Sequence, residues 1–209
     1  MKDLCLVTGF NCQYYDIATI TLPNFIDYAN KHNIDIHIST KNLYEKYNWT
    51  WNKYHIINDV ILNYKWILWI DIDCLFINKN KNIKNIIDEN YSLILSENKN
   101  VPQWYTEDTS YIENGVFLLK NDTIGRDMLN YFIKDSAPVD HPWHDQYKMI
   151  VGLRTNSILN EKTKKLPLIE LNAIDDYNFK KEDMFIYHVA GGSSKTLNEK
   201  INLLKKYNE

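Results

Sequence analysis

Five consecutive apolar residues, Trp66-Ile67-Leu68-Trp69-Ile70, run directly into Asp71-Ile72-Asp73. A short unbroken apolar run of this kind predicts a strand buried on both faces. Other segments repeat the theme. Leu4-Cys5-Leu6-Val7 reads as a buried strand that stops at Thr8-Gly9, and Ile34 to Ile38 alternates as a strand does. Leu93-Ile94-Leu95, Val116 to Leu119 and Phe185 to His188 are further strands. Between them lie helical spacings. Asp16 to His32 carries Ile17, Ile20, Phe25, Tyr28 and Ala29 on one stripe, interrupted at Pro23. Asn52 to Tyr64, Asn82 to Glu89, Thr123 to Lys134 and a segment from about Lys195 follow as helices. Strands alternating with helices imply one α/β domain over residues 1–209, with a mainly parallel central sheet flanked by helices.

Composition narrows the classes. The net charge is −3 with lysines scattered along the chain, so the basic stripe of a nucleic-acid binder is missing. Three cysteines, Cys5, Cys12 and Cys74, form no CxxC. That argues against a disulfide framework or zinc knuckle and for a reducing compartment. Leu4–Val7 is too short for a signal-peptide core, and no stretch approaches a membrane span. The expectation is a soluble cytoplasmic protein without a membrane anchor, for which the sequons at Asn48 and Asn121 have no role.

In open α/β sheets ligands collect at the carboxyl ends of strands, and the polar residues there are the candidates for chemistry. Asp71 and Asp73 end an apolar run where burial ordinarily excludes charge. On an extended backbone they project from the same side. Carboxylates so close repel unless a cation or a donor sits with them. A divalent ion with oxygen ligands, Mn²⁺ or Mg²⁺, relieves this and bridges to a diphosphate. A solvated turn or a helix cap is the alternative. His188 ends another strand and is followed by Gly191-Gly192-Ser193-Ser194-Lys195, which lacks the spacing of a P-loop. The glycines permit close backbone approach, and Lys195 is a natural phosphate counter-charge. Glu113-Asn114-Gly115 precedes a strand and alone reads as a turn. His141-Pro142-Trp143-His144-Asp145-Gln146 groups polar side chains around a helix start.

Together these segments resemble the galactosyl-, mannosyl- and xylosyltransferase family of GT-A enzymes, which includes fungal Golgi transferases and plant xyloglucan xylosyltransferases. The similarity runs from Asn24-x-x-Asp27-Tyr28-Ala29-x-x-His32 through Trp51-x-Lys53, Asp71-Ile72-Asp73, Asn114-Gly115-Val116-Phe117-Leu118 and Asp145-Gln146. It ends at Asp183-Met184-Phe185-Ile186-Tyr187-His188-Val189-Ala190-Gly191. Glu182 and Gly192 stand where the family has glycine and cysteine, and the family's anchor and stem are not seen. Small viral transferases that build capsid glycans in the cytoplasm are similar more loosely.

The resemblance implies a GT-A fold, with residues 1–110 as the nucleotide-binding half and 111–209 as the acceptor-side half with the closing metal-ligand strand. It implies Mn²⁺, or Mg²⁺ in its place, held by Asp73 and His188, with Asp71 on the metal or the ribose. Lys53, Lys195 and Gly191 then line the phosphates, and Thr8 and Gly9 the uracil or ribose. Asn114, Asp145 and Gln146 face the sugar and acceptor. The implied partners are a UDP-sugar, UDP-glucose or UDP-galactose before GDP-mannose, and a glycan or glycoprotein acceptor, with retention of anomeric configuration. Two other classes stay open: a carbohydrate-binding module using the aromatic side chains as stacking platforms, and a metal-dependent phosphohydrolase.

Overall fold

The computed structural model describes residues 1–43, 49–99, 111–134, 143–177, 179–191 and 195–208. Asn48, His141, Pro142 and Gly192-Ser193-Ser194 of the motifs above lie outside them. The strands are β1 (Lys2–Gly9), β2 (Asp35–Ser39), β3 (Tyr64–Ile70), β4 (Cys74–Phe76), β5 (Leu93–Asn98), β6 (Tyr111–Lys120), β7 (Thr163–Pro167), β8 (Ala173–Ile174) and β9 (Ile186–His188). The helices are α1 (Tyr15–His32), α2 (Asn52–Val60), α3 (Thr123–Ile133), α4 (His144–Thr155), α5 (Ser157–Glu161), α6 (Leu168–Leu171) and α7 (Leu197–Asn208).

A six-stranded sheet runs in the order β2-β1-β3-β6-β5-β7, and β4, β9 and β8 form a smaller sheet beside it. The pairs β1–β2, β1–β3 and β5–β7 are parallel, while β6 runs antiparallel to both β3 and β5. The apolar run of β3 is buried on both faces as its composition predicts. Trp66, Leu68 and Ile70 join the core that includes Phe25 and Tyr28 of α1 and Leu204 of α7. Ile67 and Trp69 join the opposite core with Tyr54, Leu129 and Met149 of α2, α3 and α4. Among the described residues no helix is long and apolar enough to cross a membrane.

Three helical expectations change. The helix expected over Asn52–Tyr64 ends as α2 at Val60, with a 3₁₀ turn at Ile61–Asn63 and Tyr64 already in β3. α1 continues through Pro23, because the missing N–H removes a single helix bond while the buried stripe through Phe25, Tyr28 and Ala29 holds both halves to the core. It stops where Asn33 adopts the left-handed conformation, φ 50°. The helix expected over Asn82–Glu89 shrinks to a 3₁₀ turn at Ile83–Ile86. There the Ile83 N–H is drawn to the Tyr28 hydroxyl at 2.8 Å, and Ile87 turns extended. The strands β4, β7 and β8 carry no pattern that sets them apart in the sequence.

An irregularity in the sheet positions the site. Leu95 pairs with Phe117, but the next residue, Ser96, pairs with Glu113. Asn114, Gly115 and Val116 therefore bulge out of the β5 ladder, which re-aims side chains there. Val116 keeps its pairing to Ile70, and the Gly115 carbonyl accepts the Asp71 N–H at 2.8 Å.

Candidate active site

β3 ends at Ile70, and residues 71–73 form a turn before β4. The Cys74 N–H closes it on the Asp71 carbonyl at 3.2 Å. The expectation that Asp71 and Asp73 share one side of an extended strand is thus corrected. The turn breaks the two-residue alternation, and each carboxylate has its own buried ammonium.

Asp71 Oδ1 lies 3.4 Å from Lys53 Nζ and accepts from Trp69 Nε1 at 2.6 Å. Lys53, on α2, also lies 3.1 Å from Asp145 Oδ2 and donates to the Asn114 carbonyl at 3.1 Å. Asn114 Nδ2 donates to the same Asp145 oxygen at 2.7 Å, and the Tyr54 hydroxyl donates to the Asp145 carbonyl at 3.2 Å. Lys53, Asn114 and Asp145 are all buried. Burial alone lowers the Lys53 pKa, yet Asp145 and Asp71 together raise it above the ordinary value, so the ammonium stays charged. Burial pushes Asp71 the other way: its pKa rises despite Lys53.

Asp73 points elsewhere. Its Oδ2 accepts from Lys200 Nζ at 2.7 Å, and its Oδ1 lies 3.4 Å from His188 Nε2. Lys200, on α7, donates also to the Val189 carbonyl at 3.0 Å. Burial opposes ionisation of Asp73, but Lys200 and His188 hold its pKa well below the carboxylate range. His188 loses basicity by burial and regains more from Asp73, so its pKa is raised. Its Nδ1 stands 3.1 Å from Asn172 Oδ1. A carbonyl oxygen only accepts, so Nδ1 carries a proton, and Nε2, facing a carboxylate that also only accepts, carries the second proton of the charged ring when no other cation lies between them.

A metal-ligating histidine needs Nε2 stripped of its proton and Nδ1 protonated, and Asn172 is the outer partner that keeps the proton on Nδ1. Asp73, Cys74 and His188 can bring ligand atoms within 4.8 Å of one another. Burial and the nearby aspartates raise the Cys74 thiol well above its ordinary pKa, so the oxygen and nitrogen of Asp73 and His188 are the natural pair for a borderline or hard divalent ion. These residues fit the ion that the sequence implied. Gly115 belongs to the fit: a Cβ there would stand 2.3 Å from His188 Cε1.

The remaining expected residues divide. Gln146 starts α4 beside Asp145, and its Nε2 donates to the Tyr111 hydroxyl at 2.7 Å. Gly191 has φ 87°, a conformation that favours glycine. Lys195 pairs with Asp175 at 3.2 Å and Asp176 at 3.1 Å, so its charge is offset on the protein. Thr8 is fully buried, with an Oγ1 that has no hydrogen-bond partner. A Cβ at Gly9 would stand 2.6 Å from Ile56 Cδ1, so this glycine lets α2 pack on β1. Sequence reasoning assigned no site role to Lys200, Asn172, Cys74 or Glu113. Lys200 sits on an otherwise ordinary polar helix, and only its burial, 3% exposed, separates it from its neighbours.

Comparison with known proteins gives a consistent result. The profile of the galactosyl transferase GMA12/MNN10 family matches residues 2–201. Xyloglucan 6-xylosyltransferase 4 of Arabidopsis thaliana is 30% identical over 122 residues, which is 56% of this chain and 23% of that protein. The chain therefore spans about a quarter of that curated relative. The crystal structure of a glycosyltransferase involved in glycosylation of the major capsid of PBCV-1 superposes with a TM-score of 0.77 at 17% identity, covering 97% of this chain and 99% of that one. A mutant of Drosophila beta-1,4-galactosyltransferase 7, in complex with manganese, UDP-Gal and xylobiose, superposes with a TM-score of 0.53 at 12% identity, covering 98% and 80%. The fold is that of GT-A glycosyltransferases.

Proposed function

The chain belongs to the galactosyl transferase GMA12/MNN10 family, and on that footing we propose that it is a metal-dependent, retaining glycosyltransferase that moves a hexose from a UDP-sugar to a glycan acceptor. The observation that carries this reading is the meeting of Asp73 and His188, distant in sequence, at Oδ1–Nε2 3.4 Å. Asn172 keeps the proton on Nδ1, so that Nε2 is the nitrogen left for the ion in exchange for its own proton. Mn²⁺ bound there, or Mg²⁺, supplies Lewis-acid stabilisation of the departing diphosphate.

The protein's own groups do the rest. Lys200 keeps Asp73 ionised and turned toward His188. Lys53 neutralises part of the paired charge of Asp71 and Asp145. Lys53 and Asn114 both hold Asp145 Oδ2. Asp145 Oδ1 is then the oxygen placed to stabilise positive charge developing on the sugar ring. The acceptor oxygen bonds to the anomeric carbon as the bond to the diphosphate breaks. Its proton passes to the departing phosphate on the same face, so no separate carboxylate base is required. UDP-glucose or UDP-galactose is the favoured donor and GDP-mannose the next. The structure with manganese and UDP-Gal supports that order through fold alone.

Calorimetry of UDP and GDP with Mn²⁺ or EDTA tests the reading, beside assays for sugar transfer and phosphate release. UDP is expected to bind much more tightly with Mn²⁺. Asp73→Ala should abolish that gain and His188→Ala should weaken it. Equal affinity with and without the ion would defeat metal dependence, and tighter metal-dependent GDP binding would reverse the donor choice. Release of phosphate without transfer would indicate a hydrolase. The anomeric coupling constant of the product decides between retention and inversion.

A further inference from the structure

Among the described residues other than glycine, only Asn33 and His144 have positive φ, 50° and 42°. Asn33 follows the end of α1, a place where the left-handed conformation is common. His144 stands at the opposite end of a helix, as the first residue of α4. The Gln146 N–H closes a turn there on the Trp143 carbonyl at 2.9 Å, with His144 and Asp145 at its centre. In a helical turn both central residues have negative φ. A positive φ at the first of them alone is a position that favours glycine.

The cause lies on either side of His144. The Trp143 ring packs edge-to-face on Tyr111 of β6, with centroids 4.7 Å apart. Asp145 is fixed at both ends: Lys53 and Asn114 hold its carboxylate at 3.1 and 2.7 Å, and the Tyr54 hydroxyl donates to its carbonyl at 3.2 Å. His144 is the one residue between these anchors, so the change of direction from the first to the second falls on its backbone. We propose that His144 is a positioning residue that acts through its backbone: its left-handed conformation turns the start of α4 so that the Asp145 carboxylate reaches Lys53 and Asn114. The bearing on catalysis rests on the role given to Asp145 above, whereas the backbone part stands without it. An L-residue in this region crowds its Cβ against the following carbonyl oxygen, so the conformation persists only because the surrounding contacts impose it. Glycine is free of that crowding and asparagine tolerates it. Alanine tolerates it less, and a β-branched residue least of all.

Urea unfolding of His144→Gly and His144→Ala tests the backbone. Where a helix has its ordinary backbone, alanine is more stable than glycine. Here the order is expected to reverse, with the higher midpoint in His144→Gly at unchanged m-value. In an Asp145→Ala background the carboxylate anchor is gone, the backbone can relax, and the advantage of glycine should shrink. Asn114→Ala, which loosens the same carboxylate, serves as the background if Asp145→Ala does not fold. Alanine as stable as glycine would overturn the proposal, and so would an advantage of glycine that is equal in both backgrounds. With an active donor, kcat is expected to fall on the order of ten- to a hundredfold in His144→Val, as misplaced groups do. The Mn²⁺–UDP affinity should stay unchanged. His144→Asn lacks the imidazole but tolerates the backbone, so it should recover most of the turnover lost in His144→Val. Equal losses in these two variants would place the effect in the imidazole, and a wild-type kcat in His144→Val would free Asp145 from His144; either result overturns the proposal. If no donor is turned over, the glycosyltransferase reading falls while the unfolding midpoints still decide whether the His144 backbone sets Asp145.

Discussion

Lys53 and Lys200 both bury an ammonium beside the Asp71–Asp73 turn, yet Lys53 divides one charge between two carboxylates while Lys200 shares one carboxylate with an imidazole. On the Lys53 side the neutral neighbours close the arrangement: Asn114 and Tyr54 hold Asp145, and Trp69 holds Asp71. The Lys200 side has one exchangeable element, the proton or cation that His188 Nε2 can carry toward Asp73. Two aspartates two residues apart in one motif thus have different ion-pair partners. Asp71 is tied to the framework that orders Asp145, and Asp73 to the place where a divalent ion fits. The comparison assigns stability mainly to the first cluster and metal-linked nucleotide affinity to the second.

Lys53→Met is the severest way to break this contrast. It leaves the buried Asp145 and the partly exposed Asp71 as like charges without their shared cation. Removing one partner of a buried ion pair typically costs about 3–5 kcal/mol, read as a large fall in the urea midpoint at unchanged m-value. Lys200→Met leaves Asp73 still facing His188, so its cost should be clearly smaller. Equal losses in the two variants would end the distinction between the clusters.

Asp145→Asn sharpens the contrast with less damage, because the amide keeps the shape while removing the charge. If Asp145 stabilises charge on the reacting sugar, turnover should drop on the order of a hundredfold. The metal-dependent affinity for UDP belongs to the other cluster and should hold. A rate near wild type would remove Asp145 from the mechanism, and a large loss of UDP affinity would merge the two sites.

Much of this division is absent from the sequence for a physical reason. Apolar runs predict buried strands because burial on both faces is a local property, so β1, β3 and the paired part of β6 are legible. The ends of Asp71-Ile72-Asp73 and of the His188 strand are legible too, since charge ending an apolar run is costly without a partner. Which partner arrives is a tertiary fact. Lys53 and Lys195 read as counter-charges for phosphate, but the fold pairs them with Asp71 and Asp145, and with Asp175 and Asp176. Lys200 differs from Lys205 and Lys206 on α7 only in facing the core rather than solvent. The bulge that splits Glu113 from Val116 depends on the register with β5, which no spacing within β6 reports.

The mildest perturbation enters the Lys200 side through a residue with no charge. Gly115 has no positive φ, so alanine is allowed by the backbone and only space forbids it. A Cβ there would stand 2.3 Å from His188 Cε1 and 2.6 Å from Nδ1, well inside van der Waals contact, and one of the two must move. The bulge is tied down by the Asp71 N–H on the Gly115 carbonyl and by the Val116–Ile70 pairing, so the imidazole should give way. Overpacking of this size costs about 1–3 kcal/mol. Its signature is the loss of metal-linked UDP affinity, about tenfold for each 1.4 kcal/mol spent on displacing the ring, with metal-free UDP binding unchanged. A double-mutant cycle separates ring displacement from damage to β6. In a His188→Ala background the obstructed ring is gone, so Gly115→Ala should cost almost nothing further in Mn²⁺-dependent binding. A full additional loss in that background would mean that the alanine acts through the bulge and hence through Asn114 and the Lys53 cluster, joining what the geometry keeps apart.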